Sequence, residues 1–363
     1  MTIRDITNYL ESIAPLALQE SYDNAGLIVG AADTPIKGVL ITLDCTEVIV
    51  EEAINNGCNL IIAHHPIVFS GLKKFNGNNY VERTVIKAIQ NDIAIYAAHT
   101  NLDHVTGGVN TKIAEKIGLI NTSILQPKSN LETLVVFAPI SDSNKIRKAL
   151  GQAGAGQIGN YKDCSFSTGG TGRFTPSGDA QPHIGNQGRA EEVEEERIEV
   201  IFESHKRHQV IQAMINSHPY EEVAHFISPV NNLNQEVGAG LVGELIEELG
   251  VRDFLMSLKE KMNLKIIKHT PDVGRKIKKV ALCGGAGSFL LKSAIRQKAD
   301  IFITGDFKYH EFFDAENKIV IADIGHYESE VFTKDLFYEI LSKKFTNIAL
   351  RLSSVNTNPV NYL

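Results

Sequence analysis

The chain has 363 residues, a formal net charge of −7 and a hydrophobic fraction of 43%. At roughly 150 residues per domain, this length predicts two or three domains, each able to bury its own core. The composition is that of a globular protein, and the acidic balance argues against nucleic acid as a partner. Four cysteines without a Cys-x-x-Cys pair indicate a reducing compartment and not a disulfide framework.

Neither a membrane span nor a secretion signal is expected. No stretch reaches the roughly 18 consecutive apolar residues that a spanning helix needs. Near the N-terminus, Ile3, Ile6 and Leu10 fall on one helical face, and charged residues interrupt the apolar core that a signal peptide would have. We therefore expect a cytoplasmic protein with no membrane partner.

The first third of the chain alternates between predicted strands and helices. Residues 39–43 form a short apolar run, and the helix that follows is predicted to end before Gly57. Residues 60–63 form a continuous apolar run, which is typical of a strand in a parallel sheet. A helix over 80–90 leads into a strand over 93–98. This alternation predicts an α/β fold.

Residues 129–235 differ in character and are predicted to form an inserted domain. Its predicted order is β-α-β-β-α-β, which is that of a ferredoxin-like split βαβ domain. Within it, the acidic run 191–196 is predicted to be a solvated loop. Residues 1–128 and 236–363 would then form one discontinuous α/β domain around the insert. The predicted strands of the insert are 131–137, 161–167, 198–202 and 224–230, and its predicted helices are 141–149 and 210–215. The segment 161–167 interrupts a glycine-dense stretch.

The last third of the chain repeats the pattern of the first. The segment EEAINNGCNLIIAHH aligns without a gap with KSAIRQKADIFITGD, and Ala-Ile and an apolar triplet recur at the same offsets. This similarity predicts a duplicated α/β unit. It makes Gly305 and Asp306 equivalent to His64 and His65, at the end of a strand where open α/β sheets place ligand sites. The predicted elements are a strand over 279–283, a helix over 288–297 and a strand over 301–304.

Histidines and carboxylates follow three of the predicted strands. His64 and His65 come directly after the strand at 60–63, and Asp103 comes shortly after the next strand. Because successive side chains of an extended segment point to opposite sides, adjacent histidines suit two neighbouring metals better than one. A helix beginning near Gly325 would place His326 and Glu330 on one face, with Glu328 pointing elsewhere.

These three strand ends, expected in one sheet, predict a metal site. Its nitrogen and oxygen donors, without thiolate, suit zinc, manganese or iron. His99 is a candidate to support the metal ligands from behind or to carry a proton near Asp103, or has a structural role. Asn24 either orients a ligand or forms an Asx turn. The glycine-rich stretch 284–287 is interpreted as a tight turn in preference to a phosphate-binding loop.

Four motifs together resemble the Nif-three-like family of GTP cyclohydrolase 1 type 2 homologues. They are, in chain order, SYDNAGLIVG, LIIAHHPIVF, YAAHTNLD and GHYESE. Two further stretches, GAGQIGNYKDCSF and HPYEEVAHF, are similar to the PII/CutA-like insert of the longer bacterial form. The resemblance therefore covers both halves of the α/β domain and the insert.

The resemblance implies a dinuclear metal centre with two divalent ions per subunit. His64 and His326 would bind one ion, His65 and Asp103 the other, and Glu330 would bridge both. It also implies a toroidal homohexamer whose metal sites face an inner cavity.

Two functions remain open from the sequence. One is a metal-dependent hydrolase that uses a metal-bound hydroxide on a small-molecule substrate, nucleotide-like or phosphorylated. The other is a non-catalytic, metal-loaded regulatory or scaffold protein whose PII-like insert binds an effector or partner.

Overall fold

A computed structural model describes residues 1–363, which form two compact units: Met1–Gln126 with Glu236–Leu363, and Pro127–Gln235. The helices are α1 (Ile3–Ile13), α2 (Glu47–Asn55), α3 (Tyr80–Gln90), α4 (Thr100–Asp103), α5 (Val109–Ile117), α6 (Ser143–Gln152), α7 (Arg207–Ser217), α8 (Val251–Lys261), α9 (Leu291–Arg296), α10 (His326–Glu330) and α11 (Thr333–Lys344). None of them is both long and apolar enough to cross a membrane.

The strands are β1 (Gly26–Val29), β2 (Val39–Thr42), β3 (Leu60–Ala63), β4 (Ala94–Ala97), β5 (Ile120–Lys128), β6 (Leu131–Pro139), β7 (Phe166–Phe174), β8 (Glu191–Glu203), β9 (His225–Pro229), β10 (Asn234–Leu249), β11 (Lys268–His269), β12 (Ile277–Ala286), β13 (Ile301–Gly305), β14 (Val320–Asp323) and β15 (Leu350–Leu352). Short 3-10 helices cover Leu16–Leu18, Ser204–Lys206, Ser288–Leu290 and Tyr309–Ala315. The α/β alternation predicted for both ends of the chain is therefore present. The helix predicted over 288–297 is a 3-10 turn followed by α9.

The first sheet has the order β1-β4-β3-β2-β15. Strands β15, β2, β3 and β4 are parallel, and β1 is antiparallel to β4. Alternate residues of β3 enter different clusters: Ile61 packs with residues of α2 and α3, whereas Ile62 belongs to the larger core. Burial on both faces explains why these strands are continuous apolar runs.

The second sheet has the order β11-β14-β13-β12-β10-β5 and repeats the plan of the first. Strands β12, β13 and β14 are parallel, and β11 pairs with the outer edge of β14 in the antiparallel direction. In the first sheet, β1 pairs with β4 in the same way. Strands β3 and β13 occupy equivalent positions in the aligned segments. Ile62 of β3 and Ile303 of β13 lie in one continuous buried cluster, so the two sheets share a core.

The second unit is a four-stranded antiparallel sheet of order β7-β8-β6-β9. Its element order is the β-α-β-β-α-β order predicted for a ferredoxin-like domain. Ile198 and Val200 of β8 pack with Ile146 of α6 and Val210 of α7 on one face of the sheet.

Two predictions within this unit are wrong. The acidic run 191–196 is not a solvated loop but the first half of β8, paired with β7. Cross-strand and tertiary partners offset its charge repulsion: Arg173 Nε donates to Glu192 at 2.8 Å, and Tyr220 Oη donates to Glu195 at 3.0 Å. The strand expected at 161–167 lies instead at Phe166–Phe174, where the glycines are part of the strand.

Candidate metal centre

The candidate site residues lie at the carboxyl ends of strands from both sheets. His64 and His65 follow β3, and Asp103 ends the short helix α4 after β4. His326 and Glu330 lie on α10, which follows β14 of the second sheet. The prediction that all three strand ends belong to one sheet is therefore wrong. The duplicated unit forms two sheets in one compact unit, and each contributes strand ends to the centre.

The side chains form two groups that share Glu330. In the first group, His64 Nε2 lies 3.6 Å from Asp103 Oδ1 and 3.8 Å from Glu330 Oε1. In the second, His65 Nε2 and His326 Nε2 lie 2.9 Å and 3.1 Å from Glu330 Oε2. The two Nε2 atoms of the second group are 3.4 Å apart. Each group could hold one metal ion.

This grouping differs from the pairing that the resemblance implied. The adjacent histidines do diverge into different groups, but His64 lies with Asp103, and His65 lies with His326. The partners at Nδ1 explain the directions of the rings. His64 Nδ1 donates to the carbonyl of Ala98, next to β4, at 2.8 Å, which turns His64 toward the segment that carries Asp103.

Carboxylates hold the other histidines in place through Nδ1. A hydrogen bond at Nδ1 fixes the ring and leaves Nε2 facing the centre, an arrangement common around metal-binding histidines. The contacts are His65 Nδ1 to Asp44 Oδ1 at 2.7 Å, His326 Nδ1 to Asp306 Oδ2 at 2.7 Å, and His99 Nδ1 to Asp23 Oδ1 at 2.8 Å.

The sequence patterns did not single out these three carboxylates as site residues. Two signals could have found them. Asp44 follows the end of β2 as the histidines follow β3, and Asp306 is the residue aligned with His65 in the duplicated segment. Asp23 stands inside the motif SYDNAGLIVG, next to Asn24.

His99 lies beside both predicted histidines. Its ring centroid is 5.4 Å from those of His64 and His65, and the three side chains offer ring nitrogens within 4.8 Å of one another. Asn24 Nδ2 donates to the carbonyl of Val68 at 2.6 Å, so this side chain ties two loops together.

Two buried polar atoms of the centre have no hydrogen-bond partner: His64 Nε2 and Asp103 Oδ1. Burial, together with the nearby Glu330 carboxylate, raises the pKa of Asp103 to about 8. Burial would also raise the pKa of Glu330, but hydrogen bonds from His326 and the other histidines hold it well below the ordinary value. Asp103 Oδ1 and Glu330 Oε1 face His64 Nε2, whose ring already donates through Nδ1. A cation among these three atoms would complete the arrangement.

Neighbouring carboxylates raise the pKa values of both histidines of the second group. Burial lowers the pKa of a histidine, but Asp44 and Glu330 raise that of His65 to about 10. Glu330 and Asp306 likewise raise the pKa of His326 to about 9. The centre therefore favours positive charge, which protons supply in the protein without metal.

The interpretation of the glycine-rich stretch 284–287 as a tight turn is wrong, because residues 284–286 are the end of β12, where the pairing with β13 shifts register. Gly285 has a φ of +63°, and a Cβ there would lie 2.3 Å from Glu330 Oε1, so the glycine makes room for that carboxylate. The backbone N–H groups that a phosphate would need are already used. They donate at 2.9 Å each from Gly284 to Asn110 Oδ1, from Gly285 to Ser329 Oγ and from Gly287 to Thr304 Oγ1.

The centre opens into a cavity of about 1020 Å³. Lys268 is the one lysine that lines it, and its Nζ lies 2.6 Å from Asp323 Oδ2. Aromatic side chains, among them Tyr22 and Phe69, form part of the wall. Seven carboxylates line the cavity: Glu20, Asp44, Asp103, Asp306, Asp323, Glu328 and Glu330.

The C-terminal tail, beyond β15, reaches this cavity. Thr357 Oγ1 donates to Asp44 Oδ2 at 2.6 Å, so the tail steadies the carboxylate that orients His65. Asn358 Nδ2 donates to Glu328 Oε1 at 2.9 Å, and Glu328 points away from the two groups, as predicted.

A duplicated α/β unit with a shared histidine–carboxylate centre defines the class of this protein. The chain belongs to the Duf34/NIF3 (NGG1p interacting factor 3) family, whose model matches residues 1–359. The family resemblance predicted from the four motifs is therefore confirmed.

Relatives match along the whole chain. A GTP cyclohydrolase 1 type 2 homolog from Bacillus subtilis (strain 168) is 39% identical over 367 residues, which cover 99% of this chain and 98% of the relative. One from Staphylococcus aureus (strain Mu50) is 34% identical over 369 residues, with 100% of both chains covered. A crystal structure of a Bacillus cereus protein related to NIF3 has a TM-score of 0.85 and 39% identity and covers 100% of this chain and 99% of that one.

The pKa of Asp103 predicts how the metal-free protein responds to pH. The pKa of Asp103 is about 8 in the folded protein against about 3.8 in the unfolded chain, so the folded state binds the extra proton between these values. Stability should therefore fall as pH rises from about 4 to about 8, by up to about 1.4 kcal/mol per pH unit for this group. Denaturant unfolding of chelator-treated protein at several pH values measures the slope.

The matched control is Asp103→Asn, which has the same shape and does not titrate. This variant should flatten the dependence of the free energy of unfolding on pH. The slope that remains above pH 6.5 comes from His65 and His326, whose raised pKa values also lower stability as pH rises. Identical slopes in the two proteins would contradict the assignment of the raised pKa to Asp103.

Proposed function

We propose that the centre binds two divalent metal ions and that the protein is a metal-dependent hydrolase of small nucleotide-like or phosphorylated compounds. The observation that carries this proposal is the pair of side-chain groups that share Glu330. The unpartnered buried atoms His64 Nε2 and Asp103 Oδ1 support it, because buried polar atoms without a partner are costly unless a ligand completes them.

The donors fit divalent ions. One ion would lie among His64, Asp103 and Glu330, and the other among His65, His326 and Glu330. Imidazole nitrogen and carboxylate oxygen suit zinc, manganese or iron. A pair of such ions lowers the pKa of bound water toward about 7 and polarises a phosphoryl or carbonyl oxygen.

His99 is suited to move a proton at this centre. Asp23 accepts the Nδ1 proton of His99, which keeps the tautomer whose Nε2 can take a proton. Although burial opposes it, hydrogen bonds from His99 and Thr100 lower the pKa of Asp23 to about 2, so this carboxylate stays charged. His99 is thus held as a candidate general base, beside the histidines of both groups.

The name of the relatives supports a nucleotide-like substrate. Proteins 34–39% identical to this chain are named GTP cyclohydrolase 1 type 2 homologs. The homohexamer, the cytoplasmic location and the PII/CutA-like nature of the insert stay predictions that rest on the resemblance and the composition.

Replacing the shared carboxylate tests the proposal. Glu330→Gln should lose bound metal, because both groups lose a ligand. Turnover should fall by more than ~100-fold, which is the upper cost of losing a residue that only hydrogen-bonds to a metal ligand. Metal analysis of the purified variant, and a chelator-controlled screen of nucleotides and phosphoesters, measure the two effects.

Glu328→Gln is the matched control. It lies two residues away on the same helix and lines the same cavity but belongs to neither group. It should keep two ions per chain and most of the activity. Full activity in a metal-free Glu330→Gln protein would rule out the proposed mechanism, and equal losses in both variants would show that the effect is not specific to the shared ligand.

The inserted unit keeps the alternative function open. It has a cavity of its own, of about 1100 Å³, lined by Glu195, Arg197 and Tyr220 among others. None of the groups of metal-ligating side chains lies in this unit. A cavity without such groups is what a metal-loaded regulatory or scaffold protein with an effector-binding insert would have.

Deleting residues 129–235 separates the two functions. An enzyme should keep two ions per chain and chelator-sensitive hydrolysis, since the ligands all lie in the other unit. Metal content serves as the test of folding for the shortened chain. A full-length chain that binds metal but hydrolyses nothing, together with a shortened chain that keeps its metal but loses the response to its ligand, would favour the regulatory function.

A further inference from the structure

We propose that Tyr22 and Phe69 form an aromatic platform for a planar ring of the substrate, and that this substrate carries at most one phosphate group. The inference rests on the proposed hydrolytic function and names the substrate class of the same cavity: a nucleobase or nucleoside-like compound of low charge.

The platform leads from the mouth of the cavity to its centre. Tyr22 and Phe69 both line the cavity, yet they are 61% and 51% exposed. Their ring centroids are 6.1 Å apart, and Phe69 is in turn 6.1 Å from the ring of His99. Aromatic rings within this distance range interact favourably, and a base that stacks on them would cover apolar surface that is now in water.

Hydrogen bonds of the two residues after Tyr22 fix the platform relative to the centre. Asp23, its neighbour, accepts from His99 Nδ1 at 2.8 Å and from the Thr100 backbone N–H at 3.0 Å. Asn24 donates to the carbonyl of Val68, the residue before Phe69. The two platform residues are therefore tied to each other's loops and to His99, so a ring can bind without first ordering either loop.

The charge of the cavity disfavours a triphosphate. Seven carboxylates and one lysine line it, so two divalent ions with four positive charges leave the lining at −2. A nucleoside triphosphate would bring about four further negative charges, and like charges repel strongly where water is partly excluded.

The cavity also lacks a second place for phosphates away from the metal groups. No arginine lines it, and its single lysine, Lys268, is already paired with Asp323. The N–H groups of the glycine-rich stretch, which could have cradled a phosphate, donate to side chains instead. One phosphoryl or carbonyl oxygen at the metal groups is therefore the most that the cavity accommodates well.

Binding of guanosine, GMP and GTP tests this inference, because the three probes share one ring and differ in charge. We expect equilibrium dialysis with metal-loaded protein to give GTP a Kd at least about tenfold weaker than that of guanosine or GMP. A small excess of metal prevents GTP from stripping the centre. A GTP affinity equal to or higher than that of guanosine, or no binding of any probe, would overturn the inference.

Variants of the platform test the stacking surface. Tyr22→Ala and Phe69→Ala should each weaken guanosine binding about tenfold, whereas Tyr22→Phe keeps the wild-type affinity, and all three keep two ions per chain. Tyr80→Ala removes a comparably exposed tyrosine, 59% exposed, outside the cavity and should change nothing. Unchanged guanosine binding in Tyr22→Ala, including a case in which only the oligomeric state changes, would refute the platform.

The outcomes distinguish this inference from the proposed function. Binding in the expected order without hydrolysis of any probe supports the platform and counts against the hydrolase. Hydrolysis of GTP in preference to GMP and guanosine supports the hydrolase and overturns the inference.

Discussion

The shared carboxylate of Glu330 is the interaction on which the centre depends. Its two oxygens face different groups: Oε1 faces His64, and Oε2 faces His65 and His326. A buried carboxylate is costly unless charged or hydrogen-bonding partners surround it, so the rest of the centre must be assembled for Glu330 to be buried. The close approach of this side chain to β12 in turn requires a glycine at position 285.

Duplication of the α/β unit explains why this assembly succeeds. The first half contributes His64, His65 and Asp103, and the second half contributes His326 and Glu330. Neither of the two groups that share Glu330 is complete in one half alone, so the shared core between the two sheets is also what completes them. The C-terminal tail then contacts a carboxylate from each half, Asp44 and Glu328.

Strand ends could be predicted from the sequence because buried parallel strands are continuous apolar runs, and the residues that follow them are easy to locate. The grouping of His64 and His65 could not. Alternation shows that adjacent side chains diverge, but the ring directions depend on Ala98 and Asp44, which follow two other strands. For a related reason, the sequence does not predict the strand conformation of the acidic run at the start of β8: it depends on pairing with β7, a separate segment of the chain.

Anomalous diffraction from crystals of the protein loaded with zinc, manganese or iron tests the central claim most directly. The account predicts two metal peaks per chain, one among His64, Asp103 and Glu330 and the other among His65, His326 and Glu330. A single peak, or peaks that leave Glu330 without a metal contact, would contradict it.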